Sequence, residues 1–185
     1  LERLLDNLET EIFTASDAIG WVYQFWQTKR KQEVNESGEK IGADELPAVT
    51  QLFTEDYMVD FMLDNTLGAW WTARHKHEPP VFDFKYLRFK DDGTPMAGSF
   101  DGWPDKVAEL KCLDPCTGSG HFLVGLFERL VPMRMADEGL SRNESARAVL
   151  RDNIYGLEID SRCTQLAAFA LALTAWKLDP SAVHD

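Results

Sequence analysis

Apolar and polar positions alternate along this chain with two different periods, and the change between them outlines the fold. Leu1, Leu4, Leu5 and Leu8 share one helical stripe, and Ile19, Val22, Tyr23 and Trp26 repeat the spacing. Residues 1–30 therefore read as helical, with Thr14 or Ser16 placed to break or cap between two helices. Residues 29–44 are polar, carry Gly38 and Gly42, and read as a loop. Pro47 opens a short extended stretch towards Phe53. Thr54-Glu55-Asp56, followed by Tyr57, Met58, Phe61, Met62 and Leu63, predicts a capped helix reaching about Gly68. Residues 72–103 show no settled period; Val81 to Phe89 alternates aromatics and Asp91-Asp92-Gly93 is a turn, so a strand and an irregular insertion both fit.

From residue 104 the pattern is firmer. A short helix over 104–109 feeds a strand ending at Asp114. A helix over 122–135 follows, with Phe122, Leu123, Leu126, Phe127 and Leu130 on its apolar face. Ser141 with Glu144 three residues on is a capping-box pattern opening a helix to Arg151. Ile154 to Leu157 forms the next strand, and an alanine-rich apolar helix runs from Arg162 to Trp176. Strand, helix, helix, strand, helix implies a parallel sheet covered by helices, hence an α/β class. Only two of its strands lie within the sequence, which predicts a sheet cut short.

Composition adds limits. A chain of 185 residues can bury one real core. Three cysteines (Cys112, Cys116, Cys163) build no disulfide framework and lack metal-ligand spacing, which suggests a reducing, cytoplasmic setting. No charge-free run approaches a membrane span, and the beginning at Leu1 rather than Met predicts a natural start further upstream. The formal charge of −12 argues against this piece providing the main grip on nucleic acid, though not against its being a catalytic neighbour of one. His75 and His77 have no further ligands beside them. Trp70-Trp71 is core in the simpler reading, and an exposed binding surface if the chain is a helical interaction module.

The chemistry concentrates in Leu113-Asp114-Pro115-Cys116-Thr117-Gly118-Ser119-Gly120-His121-Phe122. An acid ends a strand, two glycines one residue apart make a tight turn, and a helix starts at once. That is the layout of a nucleotide-type site at the carboxyl end of a parallel strand. The glycines leave volume for a ligand, while amides at the helix start can meet a carboxylate or other polar group. Asp114 is placed to attract an ammonium, directly or through water. Glu158 ends the second strand and can accept both hydroxyls of a ribose. Ile159 is placed against an adenine ring, Asp160 suits a helix N-cap, and Cys116 is a small filler of the loop. A phosphate-binding P-loop needs Lys-Ser or Lys-Thr after its glycine, and Ser119-Gly120-His121 does not supply it. A dinucleotide fingerprint wants a third glycine where Leu123 stands. A sulfonium cofactor with an amino-acid ammonium, S-adenosylmethionine, suits the acid at position 114.

With these residues the sequence resembles the N6-adenine-specific DNA methyltransferases of gamma type, most nearly the PglX-type enzymes of BREX phage defence and then Eco57I-like restriction-methylation enzymes. The family's first cofactor motif, Asp-Pro-x-x-Gly-x-Gly-x-Phe, is matched by Asp114 to Phe122, and its Gly-x-Glu-Ile-Asp motif by Gly156 to Asp160. Gln51-Leu52-Phe53-Thr54 resembles the element that closes over the methionine end of the cofactor, with Glu55 where the family has Pro. The resemblance implies a partial Rossmann-like methyltransferase fold: a helical region and polar loop at 1–50, a cofactor-closing helix and aromatic connection at 51–103, and the first part of the catalytic domain at 104–185. It implies cofactor contacts from Phe53, Thr54, Asp114, Pro115, Cys116, Thr117, Gly118, Ser119, Gly120, Phe122, Glu158 and Ile159, and no metal. For the parent enzyme it implies transfer of a methyl group to adenine N6 of double-stranded DNA, with the base flipped from the stack, and defence-system proteins as further partners. The family's catalytic Asn-Pro-Pro-Tyr or Asp-Pro-Pro-Tyr is absent; the only Pro-Pro, Pro79-Pro80, precedes the glycine turn. The chain alone is therefore expected to carry cofactor motifs without base chemistry. A small-molecule or protein methyltransferase of the same cofactor fold is the alternative enzyme reading.

Overall fold

A computed structural model describes residues 18–42, 45–50 and 54–178. The chain divides into two compact units, residues 1–53 and 54–185. In the first, α1 (Ala18–Ser37) is followed by α2 (Leu46–Thr50). The expected loop thus begins eight or so residues late: Lys, Arg, Gln and Glu after Thr28 are good helix formers, and the helix stops only at Ser37, before Gly38 at φ +66°. The stretch after Pro47 is helical rather than extended, because proline is tolerated in a first helical turn. Tyr23 of the proposed apolar stripe is buried, whereas Trp26 is exposed. The leucines of residues 1–8, and Phe53, lie outside the described residues.

The second unit begins with α3 (Asp56–Leu63), whose boundary residue Glu55 makes no side-chain capping bond. The helix widens into a π turn at Asp64–Gly68 and resumes as α4 (Ala69–Arg74). The widening is matched by a loop on its flank. A Cβ at Gly68 would sit 2.8 Å from the Phe84 ring, so that glycine admits the aromatic. Trp70 and Trp71 are 0% and 2% exposed, so the apolar surface that an interaction module would present there is interior. Residues 75–106 are irregular, with a single antiparallel bridge between Phe89 and Pro95 closing the Asp92-Gly93 turn. The strand alternative fails here because the 82–88 backbone pairs with side chains of Asp64 and Asn65 instead of with another strand.

A 3₁₀ turn (Val107–Glu109) replaces the longer helix expected before β1 (Cys112–Asp114). Then come α5 (His121–Glu138), α6 (Arg142–Asp152), β2 (Ile154–Gly156) and α7 (Ser161–Leu178). The capping box at Ser141 and Glu144 is formed in both directions. β1 and β2 are parallel, with Leu113 opposite Tyr155 and Asp114 opposite Gly156. The described part of the fold is thus one parallel β-α-β crossover with helices packed about it, a partial Rossmann-like arrangement.

Helix α5 is the centre of this unit. Leu123, Leu126, Phe127, Leu130, Val131 and Met133 are buried on more than one face, so it is enclosed rather than amphipathic. Two of its arginines are buried too. Arg134 meets Glu138, Asp152 and Asn153, joining α5 to the end of α6. Asn153, fully buried, donates to the carbonyls of Val107 and Leu110 at 2.8 and 2.9 Å, and its own carbonyl accepts from the Cys112 amide at 2.7 Å. Asn153 therefore sets the entry of β2 beside β1 twice, its backbone carbonyl pairing with β1 and its side chain holding the turn that leads into β1. Burial pushes the Cys112 thiol up to about 11, while Cys116 is exposed. Because the thiolate is the nucleophile, maleimide at pH 7.5 is expected to label Cys116 first and Cys112 much more slowly; peptide mapping of brief labelling checks this.

Candidate cofactor site

The strands end together and their closure continues beyond the sheet. Leu157 N–H donates to the Asp114 carbonyl at 2.9 Å, and Thr117 N–H donates to the Leu157 carbonyl at 3.0 Å. The next contact changes from backbone to side chain: Gly118 N–H donates to Glu158 Oε2 at 2.7 Å. Glu158 Oε1 accepts from the amides of Ile159 and Asp160 at 2.8 and 2.9 Å. The glutamate two residues beyond β2 thus holds the glycine turn that follows β1, across 40 residues of sequence. Its three donors are all backbone amides, and Oε2 keeps an acceptor position beyond the Gly118 bond.

Asp114 faces the same turn. Its Oδ1 accepts from the Cys116 amide at 3.0 Å, and its carbonyl accepts from Thr117 Oγ1 at 3.3 Å. Its Oδ2 is buried without a protein partner. An orphaned buried carboxylate oxygen is costly unless a donor arrives, so this atom marks where a cationic or hydrogen-bonding group belongs. Cys116 itself points to solvent, not into the loop, so it does not fill space there as its size suggested.

The glycines are required individually. Gly118 and Gly120 have φ of +55° and +95°, and a Cβ on Gly120 would lie 2.9 Å from the backbone of Ala167 on α7. Gly120→Ala is therefore expected to destabilise the protein by about 2 kcal/mol or more, from left-handed strain plus a backbone collision, measured by denaturant unfolding. At Gly156 a Cβ would meet Thr117 Oγ1 at 2.5 Å, so the buried threonine and the second strand can close only over glycine. Ser119 is buried and its hydroxyl lies 3.4 Å from His121 Nδ1. Asp160 takes the capping position, its Oδ1 accepting from the Arg162 amide at 3.0 Å. Ile159 is 70% exposed beside Glu158, an apolar side chain left open at the site's edge.

A cleft of about 530 Å³ adjoins Asp114. Met62, Leu63, Thr66 and Leu67 of α3 and the π turn form one wall; Cys112, Asp114, Pro115 and Phe122 form the other, with Trp103 at the rim. Asp114 is the member shared between this apolar cleft and the polar glycine turn. Thr54 lies just ahead of α3, half-buried. The cleft wall from α3 was not legible in sequence, since its residues read simply as an apolar helix face.

Known proteins match the same residues. Residues 97–184 match the family model of the MmeI DNA-methyltransferase domain. The chain is 30% identical to the adenine-specific methyltransferase PglX of Lacticaseibacillus casei, over 94% of this chain and 15% of that protein. It is 29% identical to the adenine-specific methyltransferase BrxX of Escherichia coli, over 95% and 15%, and 24% identical to a putative type II restriction enzyme and methyltransferase of Methanocaldococcus jannaschii, over 94% and 15%. The chain spans about a seventh of the length of these relatives. Among the described residues no helix is long and apolar enough to cross a membrane. Its glycine turn, strand-end acids and crossover lie within the residues matched to the MmeI DNA-methyltransferase domain, and over nearly its whole length the chain is similar to adenine-specific DNA methyltransferases.

Proposed function

We propose that this chain forms the cofactor floor of an S-adenosylmethionine-dependent enzyme that methylates adenine N6 in double-stranded DNA, within a phage-defence or restriction-modification system. The observation that carries the reading is the convergence of Asp114, the glycine turn and Glu158 at the ends of two adjacent parallel strands. The residues fit the group: Asp114 Oδ2 is an orphaned buried acceptor suited to an ammonium, and the two positive-φ glycines leave a cradle without side chains.

In this reading Asp114 holds the amino-acid end of the cofactor, and the backbone from Pro115 through Cys116, Thr117, Gly118, Ser119 and Gly120 forms the floor beneath it. Glu158 accepts from one ribose hydroxyl at the open position of Oε2 and from the other at the cost of loosening an amide bond. Ile159 supports one face of the adenine, Phe122 packs behind the turn, and Thr54, with Phe53 beside it in sequence, is assigned to the methionine end. When bound, the cofactor supplies a sulfonium-activated methyl group as electrophile. What these side chains do is hold it in one orientation, which is the larger part of catalysis when reacting atoms must align. The adenine-binding Asn-Pro-Pro-Tyr type motif is absent from these residues, so the chain by itself is proposed to bind cofactor without methylating DNA, and duplex DNA and defence proteins would be met by other parts of a longer enzyme.

Calorimetric titration of the chain with S-adenosylmethionine tests this. Saturable one-to-one binding with competition by S-adenosylhomocysteine is expected. A folded chain that binds neither compound at millimolar concentration would sink the proposal that these residues form a cofactor site.

A further inference from the structure

One buried cluster is not used by the cofactor reading as it stands. Arg129 on α5 is 1% exposed and Asp64, in the π turn, is 0% exposed. Arg129 Nε and Nη2 both donate to Asp64 Oδ1, at 3.0 and 2.7 Å, and Nη2 also donates to Asp60 Oδ1 at 2.8 Å. Nη1 donates to the Gly125 carbonyl at 3.2 Å, and the guanidinium lies over the Phe82 ring, 4.7 Å from its centroid. The second oxygen of Asp64 accepts from the Tyr86 amide at 3.0 Å. Every nitrogen of the guanidinium and both oxygens of Asp64 are therefore engaged, and the cluster ties together α3, the π turn, α5 and the 82–88 segment.

Its place gives it a consequence for the site. Asp60 and Asp64 stand on the same stretch that presents Met62, Leu63, Thr66 and Leu67 to the cleft. Arg129 stands on the helix that begins at the glycine turn and presents Phe122 and Leu126 to the opposite wall. The two helices approach closely at Gly125, where a Cβ would lie 2.8 Å from Leu63 and 3.0 Å from Val59. Packing alone would let such a contact slide, because apolar surfaces carry little directional preference. A planar guanidinium bonded to two carboxylates and a helix carbonyl does not slide, since its donors point in fixed directions and each nitrogen has an acceptor.

We propose that Arg129, with Asp64 and Asp60, is a positioning clamp that sets the width of the cleft beside Asp114 and so the affinity for the cofactor's methionine end. This rests on the cofactor reading above. The clamp acts through α3 and α5 and touches no ligand itself. A buried ion pair is a poor source of net stability against well-packed apolar groups, but a good source of a unique arrangement.

That difference supplies the test. The double variant Asp64→Leu/Arg129→Met removes both buried charges together and leaves neither without its partner, so its unfolding is expected to stay cooperative. It is expected to bind S-adenosylmethionine at least tenfold more weakly than the wild-type full chain by calorimetry, whereas a merely structural pair would leave affinity unchanged. Arg129→Lys, which keeps a buried cation but loses the fork, serves if the double variant does not fold; the same tenfold loss is expected. Wild-type affinity in either folded variant overturns the clamp. Absence of binding by the wild type overturns the cofactor reading and the clamp with it, and the two failures are thereby told apart.

Discussion

Glu158→Ala is expected to weaken binding of S-adenosylmethionine by about two to three orders of magnitude. The carboxylate accepts from Gly118, Ile159 and Asp160 amides in the structure and, in the proposed complex, from ribose hydroxyls as well. Hydrogen bonds to a charged partner are each worth roughly 1.5–3 kcal/mol, and removal of the acceptor loses two from the ligand while releasing the turn that supports the rest of it. Glu158→Gln separates these parts. With its oxygen at the Oε1 position it still accepts from the Ile159 and Asp160 amides but turns an NH2 towards the Gly118 N–H, and it is expected to fall between wild type and alanine. Titration of the three proteins, with melting curves to confirm that each is folded, decides the matter. If the alanine variant binds as the wild type does, the second strand's acid does not hold the ribose, and the site must be drawn around Asp114 and the cleft alone.

Arg129→Ala alone is expected to be the most damaging single change to the fold. It leaves Asp64 charged in a position that water does not reach, and breaking one half of a buried pair typically costs about 3–5 kcal/mol. In a protein of this size that corresponds to a fall in Tm on the order of 10 °C. Denaturant unfolding of Arg129→Ala beside Asp64→Leu/Arg129→Met measures it. The single variant should be much the less stable of the two, because the second change removes the orphaned charge. Equal stabilities would mean that Asp64 finds another partner or a proton once the arginine is gone.

The site was legible in sequence to an unequal degree, and the difference follows sequence distance. Asp114, Gly118 and Gly120 announce themselves because a tight turn between strand and helix draws on few residue types, all within seven positions. The capping box at Ser141 and the cap at Asp160 are local for the same reason. The end of α1 was misplaced because a polar run of Lys, Gln and Glu is equally compatible with a loop and with an exposed helix, and nothing in its period separates them. The 75–106 segment could not be resolved by pattern at all. The backbone groups of Tyr86 and Arg88 within it are paired by the side chains of Asp64 and Asn65, 21 to 23 residues upstream, and such pairing leaves no periodicity.

By itself the sequence determined the order of the elements, the two acids at the strand ends, the glycine turn between β1 and α5, and the family resemblance, since each rests on a few neighbouring residues. The tertiary structure decided the rest. It alone brought Glu158 onto the Gly118 amide, left Asp114 with one unpaired oxygen, and turned an apolar helix face into the wall of a cleft. It also decided that two aspartates and an arginine far apart in sequence share one buried cluster. A turn is selected by the torsions of its own residues, but a hydrogen bond to a buried charge is selected by whatever partner the packed chain delivers to it.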